Sequence, residues 1–60
     1  MDPNKAVEDL EDAIGDGDLD AADDLFAGLM SWKRRGGFEP SQGWGWVGML
    51  WNMAQSKRAE

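Results

Sequence analysis

Asp16, Asp18 and Asp20 alternate along the chain as the ligands of a calcium loop do, so cation binding is the first chemistry to weigh. An EF-hand loop takes oxygen ligands at positions 1, 3 and 5, needs glycine at position 6 and a bidentate glutamate at position 12. Counted from Asp16, position 6 is Ala21 and position 12 is Ala27, so both requirements fail. These acids are better suited to accepting from the free N–H groups at a helix start. The chain has neither His nor Cys, which removes every metal site built on imidazole or thiolate. No metal or cofactor is expected.

Catalysis has equally little to work with. Besides His and Cys, Tyr is absent, so the usual bases and activated nucleophiles are missing. Ser31, Ser41 and Ser56 have no base partner in view, and the paired carboxylates fall on what reads as a solvated face. Sixty residues are also too few for a deep pocket. A non-enzyme is expected, with no catalytic residue.

The informative side chains are the aromatics. Four Trp and four Met in 60 residues exceed what one small helical unit can hide. Each Trp would bury on the order of 200 Å² if fully covered. Trp, Met and other large apolar groups are enriched at the cores of protein interfaces.

The elements that position these residues can be read from period and punctuation. Asp2 and Pro3 start a helix over about 3–14, with Ala6, Leu10, Ala13 and Ile14 on one face. Gly15 is expected to end it. Asp18 caps a second helix over about 19–35, in which Leu19, Ala22, Leu25, Phe26, Leu29 and Met30 recur at helical spacing. Its acids cluster in the first turns and Lys33, Arg34 and Arg35 in the last, as the helix dipole favours. Gly36-Gly37 supplies the break. A third helix is expected over about 41–57, with the tail over 55–60 frayed. It is nearly apolar all round: Trp44, Val47, Leu50, Trp51 and Ala54 share one face, and Trp46, Met49 and Met53 form a second beside it. The reading is an all-α single domain, a short helical hairpin plus a Trp-rich third helix.

Two resemblances accompany this reading. Gly17-Asp18-Leu19-Asp20-Ala21-Ala22 followed by Phe26 looks like the second-helix start of a tetratricopeptide unit. The first helix lacks that family's aromatic and glycine pattern, so the resemblance implies a helical hairpin and not a repeat array. The stretch Leu29 to Pro40, with its Trp, basic run and Gly-Gly-Phe turn, resembles segments of small phage accessory proteins. That resemblance implies a phage-encoded product in the cytoplasm of the host, and it transfers no activity and no functional residue.

Charge narrows the partners. Residues 1–24 hold ten carboxylates against one Lys, a net of −9, whereas residues 25–60 hold five basic residues against two Glu, a net of +3. Phosphate binding needs a basic surface, so direct nucleic-acid binding is not expected. The longest nearly apolar run, Gly43 to Ala54, is 12 residues, against the roughly 20 a membrane span needs.

The leading expectation is a protein–protein interaction module, homo-oligomeric or bound to a host or phage protein as an accessory or inhibitor. Trp32, Trp46, Met49 and Met53 are its expected anchors, Trp44, Val47, Leu50 and Trp51 face inward, and the two faces are interchangeable at this level. A second expectation is an acidic decoy that mimics nucleic acid and fills a basic groove with Glu8, Asp9, Glu11, Asp12, Asp16, Asp20, Asp23 and Asp24. A third is a helix lying at a membrane surface. It is disfavoured because the polar face lacks basic residues until Lys57 and Arg58.

Overall fold

A computed structural model describes residues 2–59, and among them are three helices and no strand: α1 (Pro3–Asp16), α2 (Leu19–Arg34) and α3 (Trp44–Ala59). The protein is an all-α three-helix unit, elongated at 34 × 17 × 17 Å.

The hairpin forms where its caps require. The Asp2 carboxylate accepts from the Asn4 and Lys5 N–H groups at 3.0 and 3.4 Å, and Pro3 stands where no N–H is needed. Asp18 accepts from the Ala21 N–H at 3.2 Å and so opens α2. Of the acids that the calcium pattern brought to notice, Asp18 thus serves as a helix cap.

α1 runs through Gly15 and ends at Asp16, beyond the expected stop. The second glycine does the stopping: Gly17 adopts φ 76°, and the Gly17 and Asp18 N–H groups close on the Ile14 and Ala13 carbonyls. This is a Schellman cap, which satisfies two of the free carbonyls at the helix end. α2 ends the same way, one residue short of the expected boundary. There Gly36 takes φ 80°, and the Gly36 and Gly37 N–H groups reach the Lys33 and Trp32 carbonyls.

The third helix starts at Trp44, three residues later than its sequence pattern suggested. Residues 40–43 instead form a turn closed by the Gly43 N–H on the Pro40 carbonyl at 2.9 Å, with Gly43 at φ 86°. The Ser41 N–H is taken by the Asn4 side chain at 2.7 Å, which ties this connection to the start of α1. At the other end, the expected fraying of 55–60 is not seen within the described residues, because α3 continues to Ala59 (Glu60 lies outside them). Arg58 anchors that end on α2, donating to the Leu19 carbonyl at 3.1 Å and pairing with Asp23.

The core is a single cluster. Val7, Leu10 and Ile14 of α1 meet Ala22, Phe26 and Leu29 of α2, and Val47, Leu50 and Ala54 of α3 close one side. α1 and α2 share the most extensive contact, and α2 and α3 the least. That asymmetry creates the feature described next.

Candidate protein-interaction surface

α2 and α3 run antiparallel, with Arg58 against the start of α2 and Lys33 over the ring of Trp44 at 5.5 Å. Between these two tie points the helices stay apart, leaving an open groove of about 750 Å³. Its walls are apolar: Phe26, Ala27 and Met30 from α2, and Trp44, Val47, Gly48 and Trp51 from α3. Asp23, Lys33, Gln55 and Arg58 supply polar groups around it. The Trp51 ring packs edge-on against Phe26 at 4.8 Å yet remains 44% exposed. Ala27 of α2 and Gly48 of α3 are its smallest wall residues, and a Cβ added at Gly48 would meet nothing within 4 Å.

A second apolar surface lies on the far side of α3. Met49 and Met53 are 57% and 46% exposed. Each is two residues from Trp51, which on an α-helix points it about 160° away. These methionines stand in solvent, as the sequence pattern led one to expect.

The tryptophans divide differently from that expectation. Trp51, expected inside, opens into the groove, and Trp44 is half-buried on the groove wall. Trp46, expected outside as an anchor, is half-buried against the core, and its indole N–H donates to the Glu11 carboxylate at 3.2 Å. The cause is tertiary. An acceptor on α1 stands opposite Trp46, and a buried indole needs one.

Trp32 is also taken up within the chain. Its N–H donates to the Phe38 carbonyl at 3.0 Å, and the two rings meet edge-on at 5.4 Å. Gly37 lies so close under the indole that an added Cβ would stand 2.2 Å from it. Trp32 therefore locks the turn that follows α2, while Phe38 beside it is 61% exposed.

The eight acids expected to form one face fall into two groups. Three are engaged: Asp9 with Lys5 at 3.0 Å, Glu11 with Trp46, and Asp23 with Arg58. Glu8, Asp12, Asp16, Asp20 and Asp24 recur every fourth residue and are all exposed. Among the described residues no set of three acids is arranged to hold a metal ion. Asp9 hydrogen-bonds the Lys5 ammonium and its charge adds to the effect, together holding Lys5 above its ordinary pKa of 10.5.

No helix among the described residues is long and apolar enough to cross a membrane. Set beside known proteins, the chain finds no match to any family model, curated protein or solved structure.

Proposed function

We propose that this protein is a non-enzymatic interaction module that docks another protein chain on the apolar surfaces of α3. The observation that carries the reading is the exposure of Met49, Trp51 and Met53 on a helix that buries only Val47, Leu50 and Ala54. A surface helix that served folding alone would show apolar residues on the core side and polar ones elsewhere. α3 is apolar on the core side, on the groove side and on the methionine side, and its charged residues wait until Lys57 and Arg58. Large aromatic and thioether side chains at the centre of an interface, fringed by polar groups, are what protein partners bury. The groove's fringe of Asp23, Lys33, Gln55 and Arg58 fits that pattern.

Site-specific photocrosslinking in the producing cells tests this. A photoreactive residue in place of Trp51 or Met53 is expected to give a discrete protein adduct, and one in place of exposed Asp12 is expected to give none. Absence of any adduct from both apolar positions would defeat the proposal.

A second reading rests on a different observation, the exposed acids at every fourth residue from Glu8 to Asp24. The row runs from α1 (Glu8, Asp12, Asp16) into α2 (Asp20, Asp24), and like charges four apart within each helix oppose helix formation, so its presence favours a role in attracting a basic protein groove of the kind that holds nucleic acid. Such binding weakens steeply with salt. Capture of a basic partner that is as strong at high salt as at low salt would rule it out.

A further inference from the structure

The groove between α2 and α3 has the shape and charge to receive a second copy of the same chain. We propose that the protein forms a two-fold dimer in which α2 and α3 stack on their counterparts, antiparallel, as a four-helix layer pair closed over the two grooves. This rests on the interaction reading above and names the occupant of the groove.

The first argument is charge order along α2. Asp20, Ala27 and Arg34 are seven residues apart, so they lie along one face of the helix, and all three are exposed. Ala27 is both the midpoint of this row and a wall of the groove. A two-fold axis crossing α2 at Ala27 therefore sets Asp20 of each copy opposite Arg34 of the other. Asp24 and Arg35 flank that pairing at either end. Arg34 and Arg35 make no side-chain contact with an acid of their own chain among the described residues, so both are free to do this.

The alternative two-fold, running along the helices, lays α2 over α3 of the second copy. It would bring Arg34 and Arg35 to the start of the other α3, where the helix dipole is already positive. The antiparallel stacking of α2 on α2 avoids that cost.

The second argument is space. Ala27 and Gly48 put almost no side chain on the two walls of the groove, and the space beside Gly48 is open, so a second copy can approach these helices closely. The third is area. One long side of a 34 × 17 × 17 Å body is about a fifth of its surface, and a fifth of 3774 Å² approaches the roughly 800 Å² per partner of a standard interface. Met49 and Met53 point away from this contact and remain open to a different chain.

Sedimentation equilibrium over a hundredfold concentration range tests the dimer, with circular dichroism to confirm that each variant keeps its helices. The wild type is expected to dimerise. Ala27→Glu places two carboxylates on the axis and is expected to give a monomer at every concentration. Asp20→Arg and Arg34→Asp are each expected to weaken the dimer about tenfold, and combining them restores it, because the exchanged charges again face each other. A wild type that stays monomeric overturns the inference, as does a dimer indifferent to Ala27→Glu or a double variant no stronger than the singles. A monomer that is still crosslinked through Trp51 or Met53 to another protein overturns the dimer and leaves the interaction reading standing. A monomer with no crosslink overturns both.

Discussion

The α1–α2 hairpin and helix α3 are both rich in apolar residues and use them in opposite ways. The hairpin sends Val7, Leu10, Ile14, Ala22, Phe26 and Leu29 inward and keeps its acids outside. α3 buries three residues and shows three large ones. In the hairpin, periodic sequence encodes a single inside. In α3 the apolar residues point in every direction, so burial in this chain can satisfy only part of the helix. Stability thus resides mainly in the hairpin, and α3 carries apolar surface in excess of what folding uses.

Core truncation separates the two regions most sharply. Leu29→Ala, at a site with no exposure and contacts in the central cluster, is expected to cost about 2–5 kcal/mol and leave this small domain largely unfolded by circular dichroism. Met53→Gln, on exposed α3, is expected to change stability by no more than about 0.5 kcal/mol in chemical denaturation while weakening crosslinking from a photoreactive residue placed at Met49 on the same face. Equal losses from the two would erase the distinction.

The next effect falls at the junction between the regions. Gly37→Ala forces a Cβ into the Trp32 indole, and relieving that clash is expected to cost roughly 1–3 kcal/mol. Thermal unfolding should show the drop, whereas Gly36→Ala would be strained through its positive φ instead. Within the hairpin, Asp18→Ala removes the α2 cap and is expected to cost about 1 kcal/mol.

The smallest effect concerns Lys5. Its ammonium is held above the ordinary value by Asp9, so the ion pair contributes below the unfolded pKa and is lost as pH rises through the folded one. Replacing Lys5 with Gln is expected to leave neutral-pH stability almost unchanged, because the pair is exposed. Any difference between the two chains should vanish only above pH 10.5.

How much of this was legible in the sequence follows the same division. The caps at Asp2 and Asp18, the left-handed glycine after α2 and most of the inward face of the hairpin are local or periodic and could be read directly, although Val7 is buried beside the expected face of α1 and Met30 of α2 turns out to the groove. The end of α1 could not, since Gly15 and Gly17 offer the same chemistry and only the hydrogen bonds to Ala13 and Ile14 choose between them. The start of α3 depends on Asn4, 37 residues away, holding the Ser41 N–H. The persistence of α3 to Ala59 depends on Arg58 finding Asp23 and Leu19. Which Trp turns inward depends on Glu11. A helix apolar on every side carries no pattern from which to read its own inside. The groove went unread for that reason, although the small residues Ala27 and Gly48 on otherwise bulky faces are its trace in the sequence.

The central claim, that the apolar surface of α3 is covered by a protein chain at work, is tested most directly by oxidative footprinting of the methionines. In dilute purified protein Met49 and Met53, the most exposed of the described methionines, should oxidise fastest, and Met30 more slowly. In the producing cells the account predicts strong protection of Met49 and Met53 relative to the dilute protein. Equal oxidation of both in the two settings would contradict it.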